Sequence, residues 1–152
     1  MWRLLVKLKG LLLGSIVLVT LLACQSTTTK VNRTFSLNNY RATPGNQGGE
    51  SAVYLTLVNS TGQADRLVSA SSPAAEAAEI RTVVDQDGKK VIQPVTGGIP
   101  IQEVEIVNLA PGENHIALIG LKADIKPGQS IKLTLHFESG REMSVSVPVK
   151  AE

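Results

Sequence analysis

A single cysteine in 152 residues leaves nothing for it to pair with. A disulfide framework, a CxxC redox site and a thiolate zinc cluster are excluded on that count alone. Methionine is almost as scarce, with Met1 and Met143 only, and His115 and His136 are the whole imidazole complement. The chain lacks G-x-S-x-G, G-x-x-x-x-G-K-[ST] and H-E-x-x-H, so the common hydrolase, nucleotide-binding and metalloprotease signatures are absent and no enzyme is expected. It also lacks heptads and internal repeats. Charged residues stand at 18% against 43% apolar, a balance that argues against wholesale disorder and for one domain with a real core.

What is present begins with a secretory pattern. Residues 1–10 carry Arg3, Lys7 and Lys9 and no acid, and Leu11 to Leu22 form an apolar run broken only by Gly14, Ser15 and Thr20. A membrane span needs about 20 apolar residues, so this run reads as the h-region of a signal peptide and not as an anchor. It ends in Leu21-Leu22-Ala23-Cys24, which resembles the lipobox of bacterial lipoproteins. That resemblance implies cleavage after residue 23 and acylation of Cys24, including palmitate-type chains, which exceeds the two signals that stable anchoring requires. Gln25 in place of Asp, by resemblance to the Gram-negative sorting rule, implies the outer membrane and a domain facing the periplasm. Removing 23 residues from 152 leaves 129, with 12 basic and 13 acidic side chains. The resulting charge of −1 offers no polybasic stripe to nucleic acid. Trp2 goes with the signal peptide, so the mature chain has no tryptophan, and Met143 is its one methionine.

Residues 24–34 then read as the lipidated end and a polar tether with nothing to bury. From Phe35 to Lys150 short apolar runs alternate with turn signals, namely Pro44-Gly45, Thr61-Gly62, Asp87-Gly88, Gly97-Gly98, Pro111-Gly112, Pro127-Gly128 and Ser139-Gly140. Their spacing predicts an all-β sandwich or barrel. Strands are expected over Ala52–Asn59, Glu103–Leu109, His115–Leu121, Ile131–Phe137 and Met143–Val149, the last two joined by a tight hairpin at 138–141. Ala74–Ala78 has helical composition, but Pro73 and the β-rich flanks leave room for a short helix at best. Gly45 to Gly49 is a glycine-rich loop with no helix after it, so not a phosphate cradle. Glu103 and Glu105, two apart on one strand face, read as a solvated edge.

Two stretches go beyond composition: Arg41-Ala42-Thr43-Pro44-Gly45 followed by Ala52 to Asn59, and Ala64 to Glu76 with its Ser71-Ser72-Pro73. With Pro94-Val95, Gly97-Gly98-Ile99, His115-Ile116 and Gly120-Leu121-Lys122, they resemble the PCu(A)C family of periplasmic copper chaperones across residues 35–149. The resemblance implies a cupredoxin-like Greek-key β-sandwich or barrel. It also implies copper held by a His, a Met and a His-x-Met pair, a soft donor set that suits Cu(I). On this chain those positions fall on Arg81, Ile92 (or Lys90), His115 and Ala117, so three of the four ligands are replaced. His115 reads either as a surviving ligand, alone or with Glu113 or Glu79, or as an exposed strand-end histidine. Arg81 and Glu79 read as a surface pair, His136 as solvent-facing and Met143 as core packing. The expectation is a non-catalytic lipoprotein, membrane-bound through its lipid and binding a periplasmic protein partner. No resident cofactor is expected, although copper remains open. The alternative is a working copper chaperone that delivers metal to a membrane oxidase.

Overall fold

The computed structural model describes residues 33–151. The signal segment, Cys24 and most of the tether lie outside them. Ten strands follow one another: β1 Phe35–Ala42, β2 Glu50–Asn59, β3 Asp65–Ser71, β4 Ala75–Gln86, β5 Lys89–Pro94, β6 Ile99–Ile101, β7 Glu105–Leu109, β8 His115–Leu121, β9 Ser130–Phe137 and β10 Glu142–Pro148. The larger sheet runs β1-β2-β8-β4-β5, with β7 continuing the β8 edge of β2, and the smaller runs β10-β9-β3-β6. Every strand pair is antiparallel. The chain passes repeatedly from one sheet to the other, so that strands distant in sequence pair, as in Greek-key sandwiches.

Alternation decides which face is dry. On β9, Ile131, Leu133, Leu135 and Phe137 are buried while Lys132 is exposed. Val53, Leu55 and Leu57 of β2 and Ile116 and Leu118 of β8 supply the opposing layer. Each such side chain removed from water is worth about 1.5–3 kcal/mol. Met143 packs against this core from β10, as its alternation predicts. All seven turn signals fall between strands. At Asp87-Gly88 both residues have positive φ, 54° and 78°, the conformation of a two-residue type I′ hairpin turn. At Gly98 a Cβ would stand 2.2 Å from the Leu67 carbonyl oxygen, so no side chain fits there.

Three local expectations change. Ala75–Glu79 opens the long strand β4 and no helix forms, because its backbone pairs with β8 from Ala75↔Leu121 to Arg81↔His115. Sheet pairing outweighs the few tenths of a kcal/mol by which alanine and glutamate favour helix. Glu103 lies in the turn before β7, so it shares no strand face with Glu105, whose carboxylate accepts from the Gln102 amide at 2.6 Å. In β1 a bulge between Asn38 and Arg41, with Asn39 at φ 51°, reverses the strand's parity. Phe35 and Leu37 face the core before it, and Tyr40 and Ala42 after it.

β5 is an edge strand, paired only with β4. From the type I′ turn, Gln86↔Lys89, Val84↔Val91 and Thr82↔Gln93 are the hydrogen-bonded pairs of this hairpin. Lys90, Ile92 and Pro94 therefore turn their backbone toward the open edge, and Pro94 has no N–H to present.

Candidate functional site

The outer face of the larger sheet carries a cleft of about 460 Å³ whose lining includes Glu50, Tyr54, Arg81, Lys90, Ile92, His115 and Ala117. Register explains the grouping. His115 on β8 stands directly opposite Arg81 on β4, Ala117 lies between Glu79 on β4 and Ala52 on β2, and Ile92 on β5 faces Val83 on β4. Side chains at i and i+2 on a strand share a face, and directly opposed Cβ atoms are about 4.5–5.5 Å apart. Antiparallel pairing thus brings Arg81, Ile92, His115 and Ala117 to one concavity, together with Lys90.

Arg81 dominates the floor. Its Nε–H donates to Glu79 Oε2 and an Nη1–H to Glu50 Oε2, each at 3.0 Å. The second bond spans β8, because Glu50 belongs to β2. In the register, the line from Arg81 to Glu50 passes over Ala117, where a methyl group leaves the path open. Burial disfavours the guanidinium charge, but the hydrogen bonds and charges of Glu79 and Glu50 outweigh it and hold the Arg81 pKa above its ordinary value. The side chain is only 20% exposed. This is a two-carboxylate clasp on a half-buried cation, where a simple surface pair was expected.

His115 is 8% exposed, which corrects the expectation of an open strand-end histidine. β8 is covered there by its neighbours, and the Tyr54 ring lies 6.3 Å away, centre to centre. Arg41 closes the far side of Tyr54, its guanidinium 4.6 Å from the ring centre. His115 Nδ1 is 3.0 Å from the Glu113 carbonyl oxygen. A carbonyl only accepts, so Nδ1 carries the hydrogen of the neutral ring and Nε2 keeps the lone pair. The Glu113 contact is therefore through its backbone, not its carboxylate.

Arg, Ile and Ala provide no donor atom, and Glu50 and Glu79 are engaged by Arg81. Among the described residues, no group of three His, Cys, Asp or Glu side chains is placed to hold a metal ion. One imidazole beside a guanidinium is a poor match for Cu(I), which seeks thioether and imidazole donors together.

His136 lies on the smaller sheet and has partners that its alternation did not reveal. Its Nδ1 meets Glu142 Oε1 and its Nε2 meets Ser71 Oγ, each at 3.0 Å. The order serine, histidine, carboxylate is that of a hydrolytic triad. Here it stands on an open outer face, with the Glu142 side chain 67% exposed, where water screens the pair.

Comparison with known proteins places this geometry. Residues 35–149 match the family model described as "Putative lipoprotein LpqE-like". "Putative lipoprotein Lxx21020" of Leifsonia xyli is 35% identical over 102 residues, covering 67% of this chain and 61% of that protein. Protein RP573 of Rickettsia prowazekii is 30% identical over 99 residues, 65% of this chain and 55% of that protein. The chain thus matches somewhat over half the length of either relative. Among solved structures, the copper-bound PCuAC domain from PmoF2 superposes with a TM-score of 0.63 at 20% identity, covering 78% of this chain and 93% of that domain. The Cu(I) form of DR1885 from Deinococcus radiodurans does so at 0.53 and 24%, covering 82% and 85%. The fold they share with this chain is the cupredoxin-like β-sandwich.

Proposed function

The chain belongs to the LpqE-like family, and from that premise we propose that it is a lipid-anchored envelope protein whose copper-chaperone fold now works as a non-catalytic binding module. In this reading Cys24 carries the lipid, the anchor sits in the outer membrane, and the β domain faces the periplasm to engage a protein partner. The lipoprotein name of the Leifsonia relative supports the envelope assignment. A mature charge of −1 leaves no call for nucleic acid.

The observation that carries the proposal is the Arg81 clasp. At the cleft floor a fixed cation, held by Glu79 and Glu50, stands at the position that the family resemblance gives to the first copper ligand. Two like charges about 4 Å apart repel by roughly 4 kcal/mol at an effective dielectric of 20, so the clasp and a cuprous ion compete for one space. The alternative, a working chaperone that passes copper to a membrane oxidase, draws on one observation. His115 is pinned through Nδ1 with Nε2 free to ligate, the arrangement that metal-binding histidines adopt.

Competition for Cu(I) against a chelator of moderate affinity separates the two. The wild-type protein should surrender its copper, and Arg81→His, Ile92→Met and Ala117→Met combined should retain one equivalent. Stoichiometric retention by wild type that disappears in His115→Ala would establish the alternative.

A further inference from the structure

Three nitrogen atoms that line the cleft have no partner, and together they describe a ligand. Among the described residues Lys90 makes no hydrogen bond or ion pair, and neither Arg81 Nη2 nor His115 Nε2 is hydrogen-bonded. No side-chain nitrogen or oxygen of those residues is both buried and unpartnered, so these three open into the cleft. The ammonium and the guanidinium bring hydrogens, and His115 Nε2 brings a lone pair.

Register sets this group apart from the carboxylates. Along the outer face of β4 the order is Glu79, Arg81, Val83, Asp85. Glu79 and Glu50 hold Arg81 at one end, whereas Ile92 and Lys90 stand opposite Val83 and Asp85 at the other. Lys90 forms no ion pair with Asp85, whose Oδ1 accepts the Gly88 amide at 2.8 Å. Its side chain instead crosses β4 to the turn before β8, where a Cβ on Gly112 would lie 3.9 Å from Nζ. The free ammonium therefore hangs over an apolar step made by Val83 and Ile92, and Ile92 is 58% exposed.

We propose that this end of the cleft takes the C-terminal residue of a partner polypeptide, one with an aliphatic side chain. The terminal carboxylate accepts from Lys90 and Arg81, the last peptide N–H donates to His115 Nε2, and the side chain packs on Val83 and Ile92. A free C-terminus carries an anion, an N–H donor and an apolar branch on neighbouring atoms, and capture of chain ends is a recurring mode of peptide recognition. An acidic side chain brings the charge without the adjacent donor. At about 460 Å³ the cleft lies within the roughly 300–1,000 Å³ of ligand pockets. All six residues of β5 are exposed, so its wall is open to a macromolecule. The inference rests on the reading of the domain as a partner-binding module and not a copper carrier.

Fluorescence anisotropy tests it, with metal-free full-length protein in detergent titrated into fluorescein-labelled Gly-Ser-Gly-Ser-Val peptides extended by a C-terminal valine, leucine or isoleucine. Binding should saturate, and should weaken about tenfold or more when the C-terminus is amidated, the loss of one charge-assisted contact. Lys90→Met, which keeps the stem and removes the charge, should do the same. Lys89→Met, on the other face of β5, should stay within about twofold of wild type. Equal binding of acid and amide forms, or equal binding of an amidated peptide with an internal aspartate, overturns the proposal. N-acetylleucine competing as strongly as the peptides would make the ligand a small free acid, and overturns it too. No saturable binding by protein that surrenders Cu(I) to the chelator overturns the proposal and leaves the partner-binding reading standing. Stoichiometric Cu(I) retention that disappears in His115→Ala overturns both, because the metal then claims Nε2.

Discussion

The outer faces of the two sheets each display a histidine, and the two are held in opposite ways. His136 has the richer set of hydrogen bonds, to Ser71 and Glu142, yet it is half-buried on an open face where its 67% exposed partner Glu142 meets water. His115 has one backbone acceptor and an aromatic neighbour, yet it is buried in the cleft wall beside the Arg81 clasp. What separates them is the side chains around each, since both strands are interior, β8 between β2 and β4 and β9 between β10 and β3. Tyr54 and Arg81 crowd His115 in the cleft, whereas the Ser71–His136–Glu142 row has the 67% exposed Glu142 side chain at one end. A hydrogen-bond pattern acquires energetic weight only where water is kept out, and the triad-like order on the smaller sheet illustrates the converse.

The sharpest way to break this contrast is Arg81→Ala. It removes the cation from between Glu79 and Glu50, leaves two carboxylates across an emptied floor, and should cost about 2 kcal/mol in urea unfolding. That figure is below the range for fully buried pairs because the carboxylates are 44% and 54% exposed. A cost under 0.5 kcal/mol would show that the cleft is as open as the opposite face.

Asp65, at the end of the smaller sheet, offers an intermediate case. Partial burial raises its pKa, but hydrogen bonds from the Ser139 hydroxyl and from the Arg66 and Ser139 amides outweigh this and hold it below the ordinary 3.8. A carboxylate depressed in the folded state stabilises above its unfolded pKa of about 3.9 and loses that stabilisation as pH falls through the lower folded value. Asp65→Asn should therefore be about 1 kcal/mol less stable than wild type at pH 7, with the gap closing as the pH falls below the ordinary carboxylate range. An equal gap in acid would remove the charge from the account.

The smallest effect belongs to His136→Ala, within about 0.5 kcal/mol of wild type at neutral pH. A loss above 1 kcal/mol would mean that the Ser71–His136–Glu142 row is shielded from water after all, and the contrast between the faces would fail.

The sandwich was legible in the sequence where period and punctuation agreed. β9 and β10 alternate cleanly, and each Gly-bearing turn signal marks a connection. The strands harder to read are those whose pattern is set by other strands. β1 reverses its inward parity at the Asn39 bulge, so no single period runs through it. β4 opens with residues of helical preference, and only its pairing with β8 makes them extended. The four cleft positions could be picked out by family resemblance. The role of Glu50 could not, because it lies 31 residues from Arg81 in sequence and reaches it across an intervening strand. A local hint was Ala117, a small residue set between Ile116 and Leu118.

The open margin of β5 has a consequence for crowding. Lys90 and Ile92 offer two amide donors there, and Pro94 ends the series. Molecules confined to a surface meet far more often than in free solution, and a continuous unpaired margin would let neighbours zip into ribbons. A proline two residues beyond Ile92 interrupts such a zipper after two rungs, and the Lys89 and Lys90 charges repel a like margin on a neighbouring copy. The same short hairpin that walls the cleft is thus a poor template for edge-to-edge strand pairing.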